Sequence, residues 1–254
     1  MGESFLMLMK GGWELGEVEE SGWSAMAGTN VMGANRFLLY GKDEALKKKY
    51  EEKVLSKALL ASMMMAGEEA KSMPVDKSVW HELPDTPLMS YDLLRDRASG
   101  VEGRCGQLRL DPRVYLAKGS DYLRVVKVLK DAFEVAQEQI VPSPFAICAK
   151  NIDEFHPDDM KLFVIDDDQG DIASIVYGVK VGPNQVLLAM GTTPHTRRKG
   201  YGAAVLHAAL LDAKNMGLHY SLLFASDLGK KLYDACGFDT AEWWSFYRHK
   251  PLQQ

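Results

Sequence analysis

The chain has 254 residues, enough for one large domain or two small ones with a sizeable core. Its 46% hydrophobic and 26% charged residues are ordinary for a globular protein. A formal net charge of −5 argues against a nucleic-acid backbone as the main partner and leaves only a local basic patch, Arg197-Arg198-Lys199. Cys105, Cys148 and Cys236 are odd in number, far apart and outside any metal-ligand spacing, which points to a reducing compartment and no metal.

The first ten residues lack a basic leader region, their apolar run is too short for a signal peptide, and Leu6 stands where a myristoylation signal needs Ser or Thr. No stretch is long enough to span a bilayer, so the sequence reads as cytoplasmic with no membrane partner. Residues 1–35, rich in Gly, Glu and Ser, read as loosely structured and pinned by Trp13 and Trp23. Arg36–Tyr40 is a short strand. Asp43 is placed to cap a helix running to about Ala66, stopped by Gly67, with the stripe Leu46, Tyr50, Val54, Ala58, Ala61 and Met65. Met63, Met64 and Met65 read as core filling rather than as a pliable ligand surface. Pro74, Pro84 and Pro87 break the next segment, and Ser90–Arg97 is a short helix. The glycine-rich run Gly100–Gly106 is the best boundary, dividing the chain into 1–110 and 111–254.

From Arg113 the pattern is regular. Val114–Ala117 is a strand. Ser120 is placed to cap a helix with the stripe Tyr122, Val125, Leu129, Phe133, Ala136 and Ile140, ended by Pro142 and Pro144. Leu162–Ile165 and Ile172–Val179 form a hairpin around Asp166-Asp167-Asp168-Gln169-Gly170, where three aspartates fit a solvated turn better than a metal site. Val186–Met190 is a buried strand, Gly200–Met216 a helix stopped by Gly217, and Leu218–Phe224 a strand. Ser226 or Asp227 caps a short helix ending at Gly237, and Phe238–Arg248 supplies one or two last strands. Arg36-Phe-Leu-Leu and Arg113-Val-Tyr-Leu, each followed by a helix, form a faint internal echo, open to a degenerate tandem copy or to coincidence.

The junction at Gln185–Gly202 carries the chemistry. A strand leads through Pro194 into Arg197-x-x-Gly200-x-Gly202 and a helix. The first N–H groups of a helix lack intrahelical partners and its dipole is positive there, while glycines let the backbone approach a phosphate. Gly-x-x-x-x-Gly-Lys-Ser/Thr and, at this point, Gly-x-Gly-x-x-Gly are both absent. With Leu232-Tyr233-Asp234-Ala235-Cys236-Gly237-Phe238 downstream, the chain resembles the GCN5-related N-acetyltransferases, closely over Val186–Phe238 and more loosely over Arg113–Arg248.

The resemblance implies an α/β (α+β) fold with a mixed, mostly antiparallel central sheet flanked by helices, and acetyl-CoA as acyl donor. In that fold the strands either side of the phosphate-loop helix splay, and the gap takes the pantetheine arm. It assigns the diphosphate to the backbone N–H groups of Arg198, Lys199, Gly200, Tyr201, Gly202 and Ala203, with Arg197 adding charge. The strand end Met190, Gly191, Thr192 faces the carbonyl oxygen, and Ser226 replaces an asparagine that helps bind the cofactor. Tyr233 is the candidate general acid, with a core aromatic as the alternative. An unperturbed tyrosine is protonated at neutral pH and can donate to a thiolate leaving group. Gly229 replaces a frequent alanine. Where some family members carry a glutamate base, this chain has Gln185-Val186, so no base is named. His195 is too near the diphosphate, His207 and His219 read as structural, and Cys236 reads as inert. Glu242–Tyr247 offers aromatic faces either to an acceptor ammonium or to the core.

The reading is an acetyl-CoA-dependent N-acetyltransferase acting on a small or amino-acid-like primary amine. The segment 1–110 is then an acceptor-site cover, a dimer contact or a degenerate second half. The rivals are a protein or peptide N-acetyltransferase and a CoA-binding sensor without turnover.

Overall fold

The computed structural model describes residues 13–15, 23–27, 35–40, 42–57, 61–98, 110–134 and 144–249. They fall into two compact units, one of residues 89–239 and one of residues up to 88 together with 240–249. The expected boundary at Gly100–Gly106 lies outside the described residues.

The unit of residues 89–239 is built on strands β6 (Val114–Leu116), β7 (Met160–Asp166), β8 (Ile172–Val181), β9 (Asn184–Thr192) and β10 (Tyr220–Phe224). β6 to β9 pair antiparallel in series, and β9 pairs β10 in parallel. Helices α4 (Tyr122–Phe133) and α5 (Pro144–Lys150) precede β7, α6 (Tyr201–Asn215) joins β9 to β10, and α7 (Asp227–Ala235) follows. This is the mixed, mostly antiparallel sheet with flanking helices that the sequence implied.

β8 is buried without a break from Ile172 to Val179, so both faces of the sheet are covered. Phe163 and Ile165 join the core that includes Val205, Leu206 and Leu210 of α6. The alternate residues Leu162 and Val164 are buried on the other face. On that face Tyr177, paired with Leu162, donates its hydroxyl to the Phe145 carbonyl of α5 at 2.7 Å.

The other unit contains β1 (Trp13–Leu15), β2 (Trp23–Ala27), β3 (Asn35–Tyr40), β4 (Ala61–Ala66) and β11 (Asp239–His249). β1, β2 and β3 form an antiparallel meander, helix α1 (Glu44–Lys57) crosses over to β4 parallel to β3, and β11 pairs β4 antiparallel. Helix α2 (Glu68–Lys71) and strand β5 (Trp80–Asp92) follow. Met63, Met65, Ala70, Met73 and Trp80 form its core. β5 ends among residues 89–239, where helix α3 (Leu93–Ala98) begins and the Leu93 N–H donates to the His219 carbonyl at 2.9 Å.

Several expectations are corrected. The helix expected to reach Ala66 ends at Lys57, and 61–66 is strand β4. Alanine and methionine favour helix locally, but ladders to β3 and β11 override that preference. Pro84 and Pro87 lie inside β5 rather than breaking it. Each removes one donor, yet the proline φ is compatible with extended backbone. Asp121, not Ser120, is the N-cap of α4, and Ser120 sits in a 3-10 turn. That helix stops at Phe133, where Glu134 turns left-handed at φ 54°. Phe133, expected on the buried stripe, is 46% exposed. Ala136, Ile140 and Pro142 lie outside the described residues. Pro144 opens α5 instead of closing a helix, a place where its missing N–H costs nothing.

Candidate functional site

β9 and β10 pair at only two rungs, Gln185 with Ser221 and Val186 with Leu222. Beyond them no further rung joins the two strands among the described residues. β9 also bulges there. Gly191 pairs with Ile175 and Leu188 with Tyr177, so Ala189 and Met190 together face Val176, and Ala189 takes a φ of 45°. A bulge bends its strand and releases backbone groups from the ladder.

The loop after β9 is tied at its base and open at its tip. The Thr193 N–H donates to the Ala173 carbonyl at 3.0 Å, and the buried Thr193 and Thr196 hydroxyls share a 2.7 Å hydrogen bond. Arg198 and Gly200 have φ of 63° and 89°, and alternating backbone conformations of this kind make concave anion sites from N–H groups. Arg198, Lys199 and Gly200 are exposed, and a Cβ on Gly200 would meet nothing within 4 Å. Gly200 is the N-cap of α6, whose first backbone bond runs from Ala204 N–H to the Gly200 carbonyl at 3.0 Å. The N–H groups of Tyr201, Gly202 and Ala203 precede that bond at the electropositive end of the helix, where Tyr201 and Gly202 are buried and Ala203 is half-buried.

Gly202 brings three elements together. A Cβ there would lie 3.1 Å from Thr192 Oγ1, 3.3 Å from Leu232 Cδ2 and 3.4 Å from Met190 Cε. The end of β9, the start of α6 and the middle of α7 thus converge on one glycine. Thr192 Oγ1 is also 2.9 Å from Ser174 Oγ, which donates to the Gly191 carbonyl.

Arg197 is engaged with the protein itself. Its Nε donates to the Thr192 carbonyl and its Nη2 to the Ala132 carbonyl, each at 3.2 Å. Ala132 is in the last turn of α4, where carbonyls lack helical partners and a cation is favourable. Gly191 permits this approach, since a Cβ on it would stand 2.9 Å from Ala132 Cβ. An open cavity of about 440 Å³ is lined by Lys130, Asp131, Glu134, Pro194 and His195. It shares none of that lining with the cluster around Gly202.

Ser226 N-caps α7 and accepts from the Gly229 N–H at 3.2 Å. Tyr233 is 7% exposed, and burial, with the nearby Cys236 adding to it, pushes its phenol up to about 12. Its ring lies one turn back over Gly229 and packs against Phe238 at 5.7 Å between centroids.

Gln185 is a buried structural residue. Its Nε2 donates to the Ala209 carbonyl at 3.2 Å, and its Oε1 accepts from Ser221 at 2.8 Å. His195 is 3.7 Å from Asp167, and burial holds the His207 imidazole below its ordinary range. The turn aspartates are used in place. Asp166 pairs with Arg124 at 2.7 Å, and Asp167 accepts from the Gln169 and Asp171 N–H groups. Trp244 is buried and Tyr247 packs on the Met63–Trp80 core, so this part of the aromatic run serves packing. Sequence reasoning missed Arg113, whose guanidinium lies 5.5 Å from the Tyr201 ring centroid, and the Ser174 support under Thr192. Neither has a local motif.

Among the described residues no helix is long and apolar enough to cross a membrane. No protein-family model matches the chain, and no curated protein matches it. Solved structures do. A GCN5-related N-acetyltransferase from Kribbella flavida superposes with a TM-score of 0.68 at 13% identity, covering 99% of this chain and 94% of that one. A GCN5-related N-acetyltransferase-like protein from Streptococcus suis gives 0.58 at 13% identity over 98% and 93%. A tandem GNAT protein from the clavulanic acid biosynthesis pathway gives 0.57 at 13% identity over 92% and 80%. At such identities the likeness is one of fold, and the fold of this chain is that of the GCN5-related N-acetyltransferases.

Proposed function

We propose that this protein transfers an acetyl group from acetyl-CoA to a primary amine of a small or amino-acid-like acceptor, with Tyr233 as general acid. The observation that carries the reading is the convergence at Gly202. There the end of β9, the start of α6 next to the exposed Arg198 and Lys199, and the helix of Tyr233 meet at one place. The diphosphate would lie on the N–H groups from Arg198 to Ala203, and the thioester would pass along the edge of β9 that carries no rung to β10 beyond Val186. A phenol held near 12 stays protonated at neutral pH and can donate to the departing thiolate. Arg197 then supports the loop from beneath rather than contacting the donor directly. Gln185 offers no base, so the acceptor attacks the thioester carbonyl carbon as the neutral amine, the C–S bond breaks, and the proton lost by the new amide nitrogen replaces the one Tyr233 gives to the thiolate. The test is a thiol-release screen with acetyl-CoA over amines, amino acids and polyamines. Turnover that falls at least tenfold in Tyr233→Phe supports the reading, and equal turnover in both proteins refutes the acid role.

A second reading, donor binding without turnover, draws on the same satisfied Gln185. It predicts calorimetric binding of acetyl-CoA with no thiol release from any amine. Acetylated peptides found by mass spectrometry would instead favour a protein acceptor.

We also infer that the N-terminal half is a degenerate second copy of the same fold. The succession of β1, β2, β3, α1 and β4 repeats that of β7, β8, β9, α6 and β10, namely an antiparallel meander, a helical crossover and a parallel strand. A tandem protein among the structures of this fold supports the comparison. The repeat aligns Arg36-Phe-Leu-Leu with β9, not with the strand at Arg113. Where the second copy has Arg197-Arg198-Lys199, the first has Lys42, paired with Glu44 at 3.2 Å, and leads through Asp43 into a helix that starts at Glu44. Those carboxylates suit a helix N-terminus and repel an anion there.

A further inference from the structure

We infer that Ser174 is a positioning residue for donor binding: it fixes the Thr192 hydroxyl as a hydrogen-bond acceptor for an amide N–H of the donor's arm. This rests on the acetyl-transfer reading above, in which acetyl-CoA lies along β9. Ser174 is fully buried on β8 and stands opposite Thr192 on the ladder. Its hydroxyl makes two bonds of 2.9 Å, one to the Gly191 carbonyl and one to Thr192 Oγ1. A hydroxyl has one proton and two lone pairs. A carbonyl only accepts, so the Ser174 proton goes to Gly191. The proton in the second bond is then that of Thr192.

Thr192 Oγ1 is left with lone pairs alone. No other hydrogen bond reaches it among the described residues, and Thr192 is half-buried rather than sealed. The oxygen lies where β9, α6 and α7 converge, with Met190 Cε and Leu232 Cδ2 as apolar neighbours around Gly202. One fixed acceptor between alkyl groups suits a ligand of matching pattern, an alkyl chain interrupted by an N–H. The arm of acetyl-CoA is such a chain, with two secondary amides between thioester and diphosphate. Thr192 also stands between the bulge at Ala189 and Met190 and the loop of Arg198 and Gly200, so an arm joining those two ends passes it. Without Ser174 the Thr192 hydroxyl turns freely, and holding it as an acceptor then costs part of the binding energy.

The experiment uses the full chain as parent, Thr192→Val, Thr192→Ser, Ser174→Ala and the double variant of Ser174→Ala with Thr192→Val. Melting temperature is measured for each. Calorimetry gives the Kd for acetyl-CoA and for two analogues, each with one arm amide N–H replaced by CH2. Thr192→Val is expected to weaken acetyl-CoA binding about fivefold and Ser174→Ala about threefold, the scale of one net hydrogen bond, with Thr192→Ser within about twofold of the parent. The double variant is expected to match Thr192→Val in Kd even if it melts lower, because Ser174 acts on the donor only through that hydroxyl. With one of the two analogues the advantage of the parent over Thr192→Val is expected to vanish. Thr192→Val binding acetyl-CoA as tightly as the parent overturns the inference and leaves the donor reading standing. A Ser174→Ala loss that adds in full to that of Thr192→Val overturns it as well, and so does an advantage of the parent kept with both analogues. Should Ser174→Ala not fold, Ser174→Cys, whose thiol is a weak donor, takes its place. A parent that binds no acetyl-CoA removes the acetyl-transfer reading and this inference together.

Discussion

Ser221 donates to Gln185 at 2.8 Å on one of the two rungs where β9 and β10 pair. The other end of the Gln185 side chain donates to the Ala209 carbonyl of α6, and Gly178 leaves room for it, since a Cβ there would stand 2.7 Å from Nε2. One side chain therefore fastens both strands and the crossover helix at the rungs where β9 and β10 pair. This explains why the position most suggestive of a base carries none of that chemistry.

Gln185→Glu should not create a base. It replaces the donor to Ala209 with an acceptor, so the new carboxyl must be protonated to keep its bond, at a cost of about 1–3 kcal/mol at neutral pH. Burial raises its folded-state pKa above the unfolded value of about 4.3. The sign follows: relative to the parent, the variant is least impaired below pH 4.3 and loses stability as pH rises through the raised value. Denaturant midpoints for both proteins from pH 4 to 8 check this. A variant that gains turnover without losing stability would contradict it.

Much of the unit of residues 89–239 was legible because its signals are local. The strands at Leu162–Ile165, Ile172–Val179 and Val186–Met190 alternate or run apolar between turn residues, and Ser226 caps α7 as its position suggested. What escaped depends on partners far away in sequence. Met63–Met65 reads as helix until β3 and β11 flank it. The bulge puts a non-glycine, Ala189, at positive φ, which no residue type announces. The bonds of Arg197 to the Thr192 and Ala132 carbonyls likewise have no local motif, because the end of α4 is remote in sequence.

The basic triplet should divide accordingly. Arg197→Lys keeps the charge but loses the planar fork that reaches two carbonyls, so it should cost about 1–2 kcal/mol of stability, read as a lower denaturant midpoint. Arg198→Ala and Lys199→Ala remove exposed side chains and should leave the midpoint unchanged, while weakening acetyl-CoA binding several-fold at low salt and less at high salt. Equal destabilisation by all three would refute the division.

Tyr233 should leave a mark on alkaline stability. Its folded pKa of about 12 lies above the unfolded value of about 10, so its contribution is fully present below pH 10 and is lost as pH rises toward 12. The full difference is about 3 kcal/mol, of which the accessible range up to pH 11 samples the first part. Tyr233→Phe has no proton to lose and should show a shallower decline between pH 9 and 11, measured by urea unfolding. Activity should follow the same logic. The rising limb of kcat/KM is set by the acceptor amine, and no falling limb from Tyr233 appears before pH 11.

The proposal that the N-terminal half is a degenerate copy makes a stoichiometric prediction. The junction after β9 combines an exposed Gly200 in the left-handed region with Arg198 and Lys199, whereas the junction after β3 leads through Asp43 into Glu44. A diphosphate placed at the second of these would meet Asp43 and Glu44, with Lys42 already paired to Glu44 at 3.2 Å, where the first offers two exposed cations, and at low salt that difference works against binding there. Calorimetry with acetyl-CoA should therefore give one site per chain. Substituting Asp43 and Glu44 with Ser and Gln should leave that number at one, because removing repulsion does not rebuild a glycine-lined loop. Two sites in the parent, or a first site that survives a Gly202→Val change, would show that the donor binds somewhere other than the end of α6.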